Sequence, residues 1–227
     1  MIQQNAQKLS VVEKVGYSLG DLAANLIFQT LVTFLAFFYT DVYGISPGKA
    51  AMIMAAGGLF GAFFTPVMGI IADRTSTRWG KFRPWLLWTA IPFGAVALLA
   101  FSTPDFDENG KVVYAFATYI ALLVIYAANN LPYSALSGVL TGNMAERNSL
   151  SAYRFVAVMV AQFIIQVLLL PLVLILGDGD KAVGFHNTML LFSITGTVLF
   201  LIAFITTQER ILQVVEARNS IAQDLSD

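Results

Sequence analysis

Cysteine is absent from the 227 residues, and histidine occurs once. Disulfides and thiolate metal sites are thereby excluded, and a histidine-based metal centre lacks ligands. Charge is scarce as well. Asp, Glu, Lys and Arg make up 12% of the chain, where soluble domains carry about 25%. The formal net charge is −1, without the basic footprint that nucleic-acid binding needs. No glycine loop for phosphate is present, because Gly57, Gly58 and Gly61 lie inside an apolar run. Nor is there an acylating serine, a metal constellation or a carboxylate dyad. Neither an enzyme nor a resident cofactor is expected. The first 14 residues are polar, with no apolar core close behind a charged start. A cleaved signal peptide is therefore not expected, and the first span serves as the targeting signal.

What the chain has instead is apolar length. It is 57% hydrophobic, with 18 Phe and a mean hydropathy of +0.72. A bilayer crossing takes about 20 such residues. Six stretches qualify: 15–39, 49–72, 84–101, 112–140, 150–176 and 184–206. The breaks between them carry turn chemistry, such as Gly44-Ile45-Ser46-Pro47-Gly48 and Gly177-Asp178-Gly179-Asp180. The fold class expected is an all-α membrane bundle of six helices over 1–207. The tail 208–227, with Ile211, Val214, Val215, Ile221 and Leu225 among charges, reads as an amphipathic helix on the membrane or bundle surface.

The most basic break is Asp73-Arg74-Thr75-Ser76-Thr77-Arg78-Trp79-Gly80-Lys81-Phe82-Arg83-Pro84. Cations cluster in cytoplasmic loops, which places this stretch inside. With both termini on that side, ten of the 13 Lys and Arg are cytoplasmic, and only Lys49, Lys111 and Lys181 remain outside. The outer loops are acidic, with Asp105, Asp107, Glu108, Asp178 and Asp180.

Polar groups inside spans are costly, so each is a candidate site residue. Tyr17, Asp21, Asn25 and Gln29 recur every fourth residue and form one stripe on the first span. It is either an interhelical hydrogen-bond clamp or part of a solute pathway. On the fifth span, Arg154, Gln162 and Gln166 share a face. Arg154 either pairs with Asp21 or snorkels to the headgroups. The fourth span offers Tyr126, Asn130, Ser134 and Ser137 on one face, with Asn129 and Tyr133 beside it and Pro132 freeing a carbonyl. Amides, hydroxyls and aromatic rings of this kind suit a sugar, or else a polar seam between helices. Gly57, Gly61, Thr65 and Gly69 on the second span read as a close-packing stripe.

Several segments in order carry a family resemblance. They are Tyr17-Ser18-Leu19-Gly20-Asp21 with Asn25, Phe38-Tyr39-Thr40-Asp41-Val42-Tyr43-Gly44, Pro66-Val67-Met68-Gly69 and the basic stretch through Trp85. Later come Asn130-Leu131-Pro132-Tyr133-Ser134-Ala135-Leu136, Glu146-Arg147, Ser151-Ala152-Tyr153-Arg154-Phe155 and Thr206-Thr207-Gln208-Glu209-Arg210. With them the chain resembles the glycoside–pentoside–hexuronide:cation symporters, or sodium:galactoside symporters, of the major facilitator superfamily. The resemblance implies the N-terminal half of a twelve-helix carrier in a bacterial-type inner membrane. Transport would then need a C-terminal half or a second copy, with a sugar or glycoside moved by alternating access.

It also implies sugar contacts at Asp21 and Arg154. Asn25, Asn130 and Tyr133 complete the expected site, Asn130 standing where the family carries an acidic residue. The family's two cation-liganding aspartates correspond to Gly61 and Thr65, and its arginine there to Gly58, so sodium coupling is doubtful, and proton coupling through Asp21 or uncoupled facilitation stays open. Asp73, Arg74, Arg78, Gly80, Lys81 and Arg83 form the cytoplasmic loop motif. A non-transporting scaffold or sensor derived from a permease is the alternative.

Overall fold

The computed structural model describes residues 8–211. Six helices follow one another: α1 (Val11–Phe37), α2 (Pro47–Arg74), α3 (Arg83–Ala100), α4 (Glu108–Leu140), α5 (Met144–Gly177) and α6 (Lys181–Thr206). All six are long and apolar enough to cross a membrane. Four begin about one turn before the apolar runs do. The reason is capping. Ser10 and Glu13 form a capping box, and Asp107, Asn143 and Asp180 accept first-turn N–H groups of α4, α5 and α6. These polar first turns are invisible to hydropathy.

Proline sits inside α2, α3, α4 and α5, at Pro66, Pro92, Pro132 and Pro171. In a membrane such breaks are tolerated where neighbours re-satisfy the freed carbonyls. α1 ends in one widened turn, Phe38–Val42, of π-helical form. It carries Phe38 and Tyr39 into the core. Phe38 packs on Phe101 and Phe185, at 5.0 and 5.4 Å between ring centres, and the Tyr39 hydroxyl donates to the Ala115 carbonyl at 3.1 Å.

The packing has an internal symmetry. α1 lies against α5 and α6; α4 lies against α2 and α3; α3 lies against α6. Exchanging the first three helices for the last three leaves these five pairings unchanged, while the α5–α6 packing has no comparable α2–α3 counterpart. Three crossings are an odd number, so the second triple enters from the opposite face, as in an inverted repeat. α1 and α4 touch only over a short stretch. α2 and α5 are the two helices with the smallest share of buried residues.

Close approach depends on glycine at the α5–α6 crossing. A methyl group on Gly184 would strike the Val173 carbonyl, and Gly177 lies directly against the Gly184 backbone. Gly184→Ala is therefore expected to destabilise the bundle by about 1–3 kcal/mol, as overpacked cores do. Gly58→Ala, which meets nothing within 4 Å, is expected to be near neutral. Thermal unfolding of the two variants in one detergent checks the contrast.

Residues 207–211 leave α6 without helical structure. The remainder of the expected amphipathic tail lies outside the described residues.

Candidate functional site

Asp21 is ten residues into α1, and Arg154 is ten residues into α5. Both helices start at the end of the bundle that carries the basic loop. Each residue is thus about 15 Å along its helix. Equal depth on two packed helices allows them to meet, and they do. Arg154 Nε donates to Asp21 Oδ2 at 2.6 Å and Nη2 donates to Oδ1 at 3.3 Å. The Asp21 side chain is 6% exposed and that of Arg154 24%. A two-pronged pair of this kind is the strong form of the interaction. Arg154 spends its charge here rather than at the headgroups.

Tyr133 of α4 completes the arrangement. Its hydroxyl lies 2.6 Å from the Tyr17 carbonyl and 3.0 Å from Asp21 Oδ2, and accepts from the Asp21 N–H at 3.2 Å. Tyr17 returns the contact by donating to the Tyr133 carbonyl at 2.6 Å. The two rings stack at 4.5 Å, and the Arg154 guanidinium lies 5.1 Å from the Tyr133 ring centre and 5.5 Å from that of Tyr17. This attraction of a cation to ring faces adds to the ion pair. Gly20 permits it, since a side chain there would run into the Tyr133 ring. Tyr133 is 1% exposed. In this conformation it holds Asp21 in place and offers no open ring face.

The stripe continues along α1. Asn25 donates to the Asp21 carbonyl at 2.9 Å, and Gln29 reaches Asn25 at 3.4 Å. Two turns before Tyr133 on α4, Tyr126 stacks on Phe28 of α1 at 4.5 Å. This second aromatic pair was not expected from the sequence. Its signal is the seven-residue spacing of Tyr126 and Tyr133, which puts both rings on one side of α4.

Asn130 does not join the ion pair. It lines a separate cavity of about 250 Å³ between α1, α2 and α4, together with Gly61 and Thr65. The Thr65 hydroxyl donates to the Gly61 carbonyl at 2.7 Å. No carboxylate borders this cavity. Asn129, the next residue, turns away into the α3–α4 seam and donates to Thr89 Oγ1 at 2.7 Å. Gly57 seats the Tyr119 ring, so part of the small-residue stripe packs α2 on α4.

The basic loop is a tight turn in which Thr77 and Gly80 exchange backbone hydrogen bonds, with Gly80 at φ +110°. Lys81 pairs with Asp73 at 3.1 Å, and Arg78 lies over Trp79. Arg83 donates to the Phe204 carbonyl at 2.8 Å and sits over the Phe204 ring. Arg74 is exposed. The main anchor is one that sequence reasoning missed. Phe82 occupies the N-cap of α3 and has no side-chain acceptor to offer. The Glu209 carboxylate, arriving from beyond α6, accepts the N–H groups of Lys81, Phe82 and Arg83 at 2.9, 2.7 and 2.8 Å. Arg210 then pairs with Glu13 at 2.5 Å, and the Arg210 and Ile211 N–H groups both reach the Val139 carbonyl. Residues 207–211 thus strap α1, α3 and α4 together at this end.

A six-crossing bundle with an internal repeat, whose polar side chains converge on a buried ion pair, is built as membrane carriers are. The comparisons agree. The family described as MFS/sugar transport protein matches residues 16–223, and the chain belongs to it. Among its relatives, the putative glycoside/cation symporter YagG of Escherichia coli is 43% identical over 96% of this chain and 47% of its own length. The inner membrane symporter YicJ of the same organism is 40% identical over 98% of this chain and 48% of its own. The isoprimeverose transporter of Lactiplantibacillus pentosus is 40% identical over 92% and 44%. The chain spans about half the length of the curated relatives it matches.

Proposed function

We propose that this chain forms the sugar-holding half of a glycoside carrier, with the Asp21–Arg154 pair as the polar anchor for the sugar ring. The observation that carries this reading is a charge pair buried inside two apolar spans, about 15 Å from the start of each, where Tyr133 of α4 meets α1. A sugar hydroxyl can accept from the guanidinium and donate to the carboxylate at once. Exchanging Tyr133 or one Arg154 hydrogen bond for such a hydroxyl leaves no buried group unpaired. Asn25 adjoins the anchor on α1, Asn130 lies one turn from Tyr133 on the wall of the neighbouring cavity, and Tyr17 and Tyr133 hold the pair in register.

Movement of solute would use a second six-helix unit, supplied as a C-terminal half or a second copy, rocking against this one. The cation count along the loops favours both termini in the cytoplasm of a bacterial-type cell, and the bilayer as the solvent of all six helices. The coupling ion is not sodium in this reading. Hard cations want charged oxygen ligands, and Gly61 and Thr65 supply none. What this reading leaves is a proton or uncoupled facilitation.

Calorimetry with glycosides tests the anchor. Asp21→Asn is expected to lower sugar affinity by about a hundredfold, because a hydrogen bond to a charged group is worth about 1.5–3 kcal/mol. Replacing sodium by potassium is expected to change nothing. Wild-type affinity in Asp21→Asn would sink the anchor and put the sugar site elsewhere, whereas no sugar binding by either protein would favour a scaffold without a sugar site. A sodium-dependent affinity would sink the coupling argument alone.

A further inference from the structure

The cavity between α1, α2 and α4 plays no part in the Asp21–Arg154 pair, yet it opens beside it. Asn130, on its wall, is three residues before Tyr133, about 4.5 Å along α4. Phe28 is seven residues beyond Asp21, about 10 Å along α1. A ligand ring seated at the ion pair would therefore point its next substituent at this cavity.

We propose that the cavity is a subsite for the apolar aglycone of a glycoside whose sugar ring is held at Asp21 and Arg154, an inference that rests on the function proposed above. Its size fits one ring. At about 250 Å³ it falls below the roughly 300–1,000 Å³ of pockets that take a whole drug-sized ligand. Its walls are apolar, with Phe28, Leu123 and Leu131 facing a floor of Gly58 and Gly61. No ionisable carboxylate or cation lines it, so a charged aglycone would be buried without a partner.

A second sugar ring is a poorer occupant. It would bring several hydroxyls, each needing a partner once buried. The Thr65 hydroxyl already donates to Gly61. What remains is the half-buried Asn130 amide and the Tyr126 hydroxyl, neither of which has a hydrogen bond among the described residues. Two polar groups on one wall serve a glycosidic oxygen or a single ring substituent. The Phe28–Tyr126 stack beside them offers the aromatic contact that an aryl group favours.

The glycines make the test clean. A side chain on Gly58 meets nothing within 4 Å, and on Gly61 it meets only Leu123 at 3.6 Å. Gly58→Leu and Gly61→Leu should each fill the cavity without disturbing the backbone. The measurement compares 4-nitrophenyl and methyl glycosides of one sugar, chosen from a panel of xylosides, glucosides, galactosides and glucuronides, on the purified protein. The nitrophenyl compound is expected to bind at least about tenfold more tightly. In either leucine variant the ratio is expected to fall to about one. A ratio that survives both variants would overturn the subsite. So would a disaccharide that binds as tightly as the nitrophenyl compound and is lost equally in the variants, since the occupant would then be a second sugar. Asp21→Asn reports separately on the anchor. If it leaves both ligands at wild-type affinity, the sugar site itself is elsewhere, whatever the leucine variants do.

Discussion

Arg154→Met is expected to destabilise the bundle by about 3–5 kcal/mol, the cost of leaving a buried charge without its partner. The Asp21 carboxylate is 6% exposed and cannot turn to water. Tyr133 would remain as its one side-chain donor. The double variant Asp21→Leu, Arg154→Met is expected to recover most of that loss, because a buried pair replaced by apolar groups is often neutral in stability. Sugar affinity should not recover with it. Unfolding midpoints in detergent read the first effect, and calorimetry the second. If the double variant is as unstable as the single one, the pair is not a closed electrostatic unit. If its sugar affinity returns, the pair does not hold the sugar.

Removal of the Glu209 carboxylate should rank next. Glu209→Ala leaves three N–H groups at the start of α3 without their acceptor. Loss of a helix cap costs about 0.5–2 kcal/mol, and the carboxylate also faces the positive end of the α3 dipole. A total of about 2–3 kcal/mol is expected, with Glu209→Gln losing less because its amide oxygen still accepts. Hydrogen exchange localises the effect. The amides of Lys81, Phe82 and Arg83 should exchange at least about tenfold faster in Glu209→Ala. Unchanged exchange there would mean that α3 does not depend on the strap.

These two contacts differ in how far the sequence discloses them. Asp21 and Arg154 each stand out as an ionisable residue inside an apolar span, and the four-residue spacing of Tyr17, Asp21, Asn25 and Gln29 puts one stripe on α1. Equal depth from the same end then makes a pair the natural expectation. Glu209 lies in one of the segments that carry the family resemblance, but nothing in the sequence assigns it a partner. It is one acid in a polar tail, and its partners are more than 120 residues earlier. Only the fold brings that tail across the N-terminus of α3, and only the observation that Phe82 cannot cap its own helix explains why an acid is wanted there.

Neighbouring residues on α4 teach a similar lesson. Asn129 and Asn130 look interchangeable in the sequence. One step along a helix turns a side chain by about 100°. That step sends Asn129 to Thr89 on α3 and Asn130 into the α1–α2–α4 cavity. Tyr133 reads as an aromatic platform for a sugar, but stacking on Tyr17 covers it. Which face of α4 meets α1 depends on how far the two helices splay, and hydropathy carries no information on that. The helix starts were obscured for a simpler reason. Ser10, Asp107, Asn143 and Asp180 are polar, so the first turns they cap fall outside the apolar runs.

The absence of cysteine from the chain makes the central claim directly measurable. Asn25 is half-buried beside the ion pair and donates only to the Asp21 carbonyl, so Asn25→Cys places one thiol at the edge of the sugar anchor. Gly48, exposed in the first turn of α2 where an added side chain meets nothing within 4 Å, serves as the control position. The rate of thiol alkylation is read with and without glycoside. At roughly ten times its Kd, the glycoside is expected to slow reaction at position 25 about tenfold by mass action, and to leave Gly48→Cys unaffected. An unchanged rate at position 25 under the same saturation would contradict a sugar site at Asp21 and Arg154.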